Sequence, residues 1–502
     1  MIPALIAFLA GASTTLAFAP FSLFPMAIIG PAVLFWLLLK RPCFHIGFLY
    51  GLGLMGSGIS WLYVSVEQFG NLGTIIPALF TFAFIAFVAQ LYGLLGWLCQ
   101  HLGSRIAIHN LLLIYPALWV LIEWCRSWLL TGFPWLSVGY SQIDSPLAGF
   151  APILGLLTVS WAVVLSAGLL ITVLTASPKI RAASLLGLVL LWATGGALRS
   201  VEWSSSHGEP IKVALIQGNI PQKIKWNPEQ LMPTLQLFSD LTMQHKDADL
   251  IIWPETAVPG LFSQLDAEFF KPLELLLQES NSNLLLGVVL LDKDKRGYQN
   301  AMVGLGANRA FYTKQHLVPF TEYLPLKPLF GPIVKLFSIP MSDFTVHPNW
   351  QPTIKLGEYT IGMSICYEDA FGAEMIRALP EAEFLVNTSN DAWFGDSLAP
   401  HQHLEIARMR ALEVGRYLLR GTNTGISAII GPQGEILHHS PLFKEHVLRG
   451  EIRPMSGQTP YSYIGNWGIL LLLISALSCG LFFSYKLKQG EKWWSKPTGI
   501  SG

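Results

Sequence analysis

Long unbroken apolar runs fill the first 200 positions of this 502-residue chain, and short ones set between polar segments fill most of the rest. Seven apolar stretches come first, at roughly 2–20, 22–39, 46–66, 72–99, 110–131, 147–175 and 182–198, and an eighth lies at about 463–485. Each is close to the ~20 residues a helix needs to cross hydrocarbon, although little more than Pro20 separates the first two. From Ile211 the pattern shortens to β-rich runs at 211–217, 250–253, 284–290, 301–305, 359–365, 384–387 and 426–430. Helical stretches at 228–246, 264–279, 370–379 and 402–418 lie between them. In the last of these Leu404, Ala407, Ala411, Val414 and Leu418 share one face. The expected architecture is an α-helical polytopic membrane domain of eight transmembrane helices, seven before and one after a layered α/β domain. The divisions fall at 1–200 for the seven helices, 208–455 for the α/β domain, 460–486 for the eighth helix and 487–502 for a tail.

Charge follows the same division: ten of the 64 Asp, Glu, Lys and Arg residues lie in the first 200 positions. Over the whole chain 52% of residues are hydrophobic, 13% are charged and the net charge is zero, so nothing marks a nucleic-acid surface. The N-terminus lacks a basic n-region and further spans follow it, which reads as an uncleaved membrane segment. Lys40 and Arg41 follow span two, Arg105 span four, Lys179 and Arg181 span six, and Lys486, Lys488, Lys492 and Lys496 span eight. The intervening loops carry Glu67 and Asp144. The positive-inside rule then puts both termini in the cytoplasm and the segment from about 200 to 460 on the outer side. Within span five Glu123 and Arg126 share a helix face and read as an intrahelical pair, unless they are functional. Residues 132–136, Gly-Phe-Pro-Trp-Leu, read as an interfacial aromatic anchor.

Of five cysteines, Cys43, Cys99, Cys125 and Cys479 lie in or beside spans, and Cys366 alone lies in the α/β domain. A solitary thiol outside the cytoplasm is open to oxidation, which asks for a reason. By itself Cys366 fits a buried structural thiol as well as a nucleophile. It ends the apolar run 359–365, where a strand's carboxyl end opens into a ligand crevice. Glu255 ends the run Leu-Ile-Ile-Trp-Pro-Glu in the same way, and a carboxylate there can act as general base. Lys314 closes the strand-like Ala-Phe-Tyr-Thr-Lys at 310–314, and a cation there can stabilise a thiolate or an oxyanion.

Trp253-Pro-Glu255, the segment from Tyr312 through Lys314 to Glu322, and Cys366-Tyr367-Glu368 resemble the Glu-Lys-Cys motifs of the nitrilase superfamily. Gln217-Gly-Asn-Ile-Pro-Gln222 followed by Trp226, the stretch Asn387-Thr-Ser-Asn-Asp-Ala-Trp-Phe-Gly395, and the seven-plus-one frame are similar to its membrane-embedded branch, the apolipoprotein N-acyltransferase family. The resemblance covers the whole chain. It implies an α-β-β-α sandwich, catalytic roles for Glu255, Lys314 and Cys366, and supporting or substrate-binding roles for Trp226, Glu322, Tyr367 and Glu368, with no metal and no cofactor. Thr321 departs from it, since the family more often has Gly before the Glu.

The implied reaction is a two-step displacement, the last step of bacterial lipoprotein maturation. Glu255 deprotonates Cys366, the thiolate takes an acyl chain from a phospholipid, with phosphatidylethanolamine the implied donor, and the α-amine of an S-diacylglyceryl apolipoprotein receives it. Lys314 and a backbone N–H beside Cys366 stabilise the oxyanion. The implied setting is the bacterial inner membrane, with the catalytic domain periplasmic and the protein a monomer. The apolar stretch 323–339 reads either as a mobile arm entering the outer leaflet or as a loop packed on its own domain. His401, His403 and Glu405 have a metal-like spacing but fit capping or surface roles better. Arg408, Arg410 and Arg416 could pair with Glu413 or meet phosphate headgroups. A membrane-anchored amidohydrolase is the alternative enzyme, and a transporter with an exported binding domain is the alternative of another class, although midplane ionisable groups and repeated halves are not evident.

Overall fold

The membrane part of the computed structural model begins with helices α1 (Ile2–Thr14), α2 (Met26–Lys40), α3 (Phe44–Gly58), α4 (Leu62–Gly70) and α5 (Ile75–Leu102). It continues with α6 (Tyr115–Arg126), α7 (Leu156–Thr175) and α8 (Pro178–Arg199). The structure describes residues 1–70, 73–292, 297–328, 331, 344–348 and 351–494. Among them four helical segments are long and apolar enough to cross a membrane: Ile75–Leu102, Ala107–Arg126, Leu156–Thr175 and Pro178–Arg199. The pair α3 and α4, bent by 56°, makes a fifth, and α1, α2 and the Trp467–Phe483 part of the final helix are shorter apolar helices. The expected stretch 147–175 starts late as a helix, because Gly155 at φ 80° breaks the chain between a short turn and α7. Gly11, Gly47 and Gly53 lie against backbone carbonyls of neighbouring helices, where a Cβ would clash, so α1, α3 and α5 approach closely.

The α/β domain is built of two six-stranded sheets. The first runs in the order β13-β2-β3-β4-β5-β6 and contains β2 (Ile211–Gln217), β3 (Leu250–Ile252), β4 (Asn283–Asp292), β5 (Gly297–Leu305), β6 (Ala310–Thr313) and β13 (His446–Ile452). The second runs β12-β11-β10-β9-β8-β7 and contains β7 (Thr353–Leu356), β8 (Tyr359–Ile365), β9 (Phe384–Ser389), β10 (Leu418–Thr422), β11 (Ala428–Ile430) and β12 (Ile436–His439). A separate ribbon pairs β1 (Ser204–Ser206) with β14 (Met455–Gly457). Each large sheet has three parallel central strands, β2-β3-β4 and β8-β9-β10, with antiparallel strands on both sides. Alternation along β2 decides the layers. Val213 and Leu215 point to a core shared with Ile361, Met363, Phe384 and Val386 of the other sheet. Ala214 and Ile216 point outward to Leu235 and Phe238 of α9 (Pro228–Gln244) and to Leu273 and Leu277 of α10 (Lys271–Glu279). Across the second sheet Leu385, Leu418 and Ile430 pack on Leu404, Ala407, Ala411 and Val414 of α11 (Leu398–Val414). The result is an α-β-β-α sandwich. Strands buried on both faces read as continuous apolar runs, which is why 211–217 and 359–365 stand out in the sequence.

The stretch 402–418 is not one helix. α11 ends at Val414, Gly415 takes the left-handed conformation (φ 62°, ψ 43°) that stops it, and Leu418 opens the buried strand β10. The polar face of α11 is largely buried. Ile406, Met409 and Leu412 join the core of the membrane helices. Gln402 Oε1 accepts from Trp61 Nε1 (3.1 Å) and Trp135 Nε1 (2.7 Å), and its Nε2 donates to Gly58 O at 3.1 Å. Glu405 accepts from Ala19 N (3.2 Å), Arg408 Nη1 donates to Asp144 (2.9 Å), and Glu413 accepts from Leu156 N at 2.6 Å. Arg410 pairs with Glu413, and Arg416 donates to Ala382 O and Gly457 O. The sequence left the partners of these arginines open; their recorded partners are carboxylates and carbonyls of the chain.

One expectation in the membrane part is corrected. Trp135 and Leu136 are buried beneath the α/β domain, so 132–136 is a docking loop and not a lipid-facing anchor. Glu123 and Arg126, three residues apart on α6 and both buried, bond within the helix and to the loop and the segment after it: Glu123 accepts from Trp119 Nε1 (3.0 Å) and Val138 N (3.0 Å), while Arg126 donates to Trp135 O and to Ser137 Oγ (3.1 Å). Of the stretch 323–339, Leu329, Phe330 and Phe337 lie outside the described residues. At its base Phe320 meets Phe80 of α5 edge-on at 6.1 Å.

Candidate active site

β8 delivers Cys366 to a tight turn (Cys366–Ala370) with φ +54°, a conformation L-residues rarely take and one held only by surrounding contacts. Glu368 supplies them. Its Oε2 accepts from Ile365 N (2.6 Å) and Tyr312 OH (2.8 Å), and its Oε1 accepts from Gln315 N (2.6 Å) and His316 N (3.0 Å). One buried carboxylate thus ties the thiol's turn to the chain just past Lys314. Burial pushes the Glu368 carboxyl up, against the pull of those backbone N–H groups.

Glu255 follows β3 and Lys314 follows β6, and the two side chains meet: Lys314 Nζ lies 3.4 Å from Glu255 Oε1 and 2.9 Å from Glu322 Oε1. Asn300 on β5 bridges both carboxylates, its Nδ2 at 2.8 Å from Glu255 Oε1 and 3.1 Å from Glu322 Oε1. Glu255 Oε2 accepts from Asn390 N at 2.9 Å, and Glu322 Oε2 from Val318 N at 2.7 Å. Thr321, the departure from the family pattern, is exposed and donates to Val318 O, and Glu322 reaches Lys314 all the same. Burial acts against the Lys314 ammonium, but Glu322 and Glu255 outweigh it and raise the group, so the cation is firmly held.

The Cys366 thiol is pushed up by burial first and then by Glu255, while Lys314 pulls it down and Ser389 bears on it as well. The resting sulfur is therefore a thiol, and it needs a base. Glu255 stands beside the cation that would hold the resulting charge. Tyr367 donates to Gly132 O of the docking loop at 2.9 Å. Trp226 is half exposed at the end of the short helix Gln222–Lys225. That helix is pinned by Asn390 Nδ2 on Gln222 Oε1 (2.7 Å) and by Lys225 Nζ on Thr256 Oγ1 (3.0 Å). Burial lowers Lys225 to about 8 despite Glu255.

The structure thus gathers Glu255, Lys314, Cys366, Glu322 and Glu368 at one end of the sandwich. Sequence reading gave no role to Asn300, Gln222 and Asn390, nor to Asp369, Asp391 and Arg420 behind the turn, and it took His403, which is buried, for a capping or surface group. Asn300 lies just before the β-rich run 301–305 and Arg420 just past the expected helix 402–418, so neither had a local signal. His403 lies between two aspartates, 2.9 Å from Asp369 and 3.2 Å from Asp391.

Two family models match: residues 10–169 match "Apolipoprotein N-acyltransferase N-terminal domain" and residues 212–461 match "Carbon-nitrogen hydrolase". A protein named apolipoprotein N-acyltransferase from Methylococcus capsulatus is 42% identical over 92% of this chain and 92% of its own. Proteins of the same name from Nitrosomonas europaea and Pseudomonas aeruginosa are 40% and 41% identical over 95% and 93% of this chain, and over 97% and 94% of their own.

Proposed function

The chain belongs to the apolipoprotein N-acyltransferase family, and from that premise we propose that it moves an acyl chain from a phospholipid, phosphatidylethanolamine first, to the α-amine of an S-diacylglyceryl apolipoprotein through a thioester on Cys366. Glu255 takes the thiol proton, and the thiolate attacks the ester carbonyl. Lys314 and the backbone N–H of Tyr367 hold the oxyanion. The intermediate collapses, the lysophospholipid leaves with the proton from Glu255, and the thioester remains. The incoming amine attacks it, passes a proton to Glu255, and Cys366 departs as thiolate and is reprotonated. Asn300, Glu322 and Glu368 orient these groups, and Trp226 and Tyr367 line the approach. No metal or cofactor takes part.

The observation that carries this reading is the buried meeting of Glu255 and Lys314 at 3.4 Å, both acting on the one thiol of the α/β domain. The rest of the arrangement is part of the same proposal: eight spans, both termini cytoplasmic, residues 208–455 on the periplasmic face of the inner membrane, and a monomer that takes its donor from the surrounding lipid.

Intact mass of the full chain after incubation with phosphatidylethanolamine vesicles tests it. An acyl adduct on Cys366 that persists until an amine acceptor is added supports transfer. The Glu255→Gln and Lys314→Ala variants should form it ~10²-fold or more slowly. Rapid conversion of the adduct to free fatty acid would instead favour the hydrolase.

A further inference from the structure

Four charged side chains close a ring directly behind the Cys366 turn, and all are buried: Asp369, Asp391, His403 and Arg420. His403 Nε2 lies 2.9 Å from Asp369 Oδ1, and Nδ1 lies 3.2 Å from Asp391 Oδ1. Arg420 Nη2 donates to Asp391 Oδ2 at 3.0 Å, and Nη1 lies 3.4 Å from Asp369 Oδ2. Ionised carboxylates offer only acceptors, so an imidazole held between two of them must donate from both nitrogens. His403 is then an imidazolium, and two cations balance two anions, the condition under which buried charge is tolerated. The surroundings agree in sign: burial and Arg420 oppose the imidazolium, but Asp369 and Asp391 outweigh them and raise His403.

This ring reaches the thiol by three routes. Asp369 belongs to the Cys366–Ala370 turn itself. Arg420 Nη1 donates to Asn387 Oδ1 at 2.7 Å, and Asn387 Nδ2 donates to Cys366 O at 3.1 Å. Ser389 Oγ donates to Asp391 Oδ1 at 2.8 Å and bears on the sulfur. On its far side the His403 ring lies 5.5 Å from that of Trp135 in the docking loop.

We propose that Asp369, His403, Asp391 and Arg420 are positioning residues, a charge-balanced ring that fixes the Cys366 turn through Asn387 and Ser389 without touching substrate. The proposal rests on Cys366 being the acylated nucleophile. Charge balance, and not packing, is what the ring contributes, and charge balance can be broken and restored.

The test uses the full chain with phosphatidylethanolamine vesicles and four proteins: wild type, His403→Gln, Asp391→Asn and the double variant. With the remaining groups keeping their charges, His403 protonated in Asp391→Asn included, each single change leaves the ring with one unit of net charge. Each should slow formation of the Cys366 acyl adduct by ~10²-fold, the scale of a small misplacement, with the half-saturating phospholipid concentration unchanged. The double variant is balanced again and should regain ~10-fold or more over either single one. A double variant whose losses multiply would overturn the ring. Thermal unfolding of the same four proteins needs no catalysis. If wild type formed no adduct, the nucleophile reading would fall while melting temperatures still decided the ring: recovery in the double variant supports it, and an additive loss overturns it. The same comparison decides if His403→Gln does not fold.

Discussion

Gly287 lies on β4 beneath the turn that carries Glu255, and a Cβ there would collide with backbone atoms of Pro254, Glu255 and Thr256. Backbone cannot swing aside as a side chain does. Gly287→Ala should therefore displace Glu255, slowing adduct formation ~10²-fold and costing about 1–3 kcal/mol by overpacking; a denaturation midpoint and the mass assay read the two effects. The thiol offers a prediction of opposite signs. Glu255 raises Cys366 and Lys314 lowers it. Iodoacetamide labelling of Cys366 near neutral pH should be slow and climb with pH. It should speed up in Glu255→Gln, slow down in Lys314→Met, and leave both variants poor at acyl transfer. A labelling rate unmoved by either change would count against this electrostatic account. Glu255, Lys314 and Cys366 could be picked out in the sequence because each ends an apolar run. Gly287 and Asn300 could not, since a small residue inside such a run, or a polar one at its edge, carries no sign of what presses against it.

α11 shows how far periodicity goes at the scale of an element. Its Leu404, Ala407, Ala411 and Val414 face was legible, and it does pack on the second sheet. Its other face carries Gln402, Glu405, Arg408 and Glu413, whose partners the sequence left open, and each of these is spent on the membrane helices or their loops. Extending the helix to Leu418 failed because the apolar spacing continues across Gly415 into β10, and only the left-handed glycine marks the break. Glu405 is the weak point of this contact. Burial raises its carboxyl to about 8, partly opposed by the Ala19 N–H. The folded chain then keeps a proton that the unfolded chain has released above about 4.5. Stability from this group is greatest below about 4.5 and is lost as pH rises to about 8. Glu405→Gln should raise the melting temperature at pH 8 and leave it nearly unchanged at pH 4.5.

Over the whole molecule, membrane helices and α/β domain share one core: Ala370, Phe371, Ile406, Met409 and Leu412 pack among residues of α1 to α7. A domain cut at 208–455 would expose that face, so expressed alone it should need detergent to stay in solution, and partition between buffer and detergent reads this directly. Changing Gln402 to Ala should loosen the same contact, leaving two buried indole N–H groups without their acceptor at ~1–3 kcal/mol each; protease cleavage of the 132–136 loop should then quicken. The sequence by itself determined the division into membrane and α/β parts, the strands at 211–217 and 359–365, and the three side chains at strand ends, because burial on both faces and abrupt polar ends are local signals. Only the tertiary structure decided which polar residues converge on one another, that the aromatic loop docks under the α/β domain, and that four charges close behind the thiol. Those partners stand far apart along the chain, and the reason a buried charge is tolerated lies in the residue across from it, which no stretch of sequence contains.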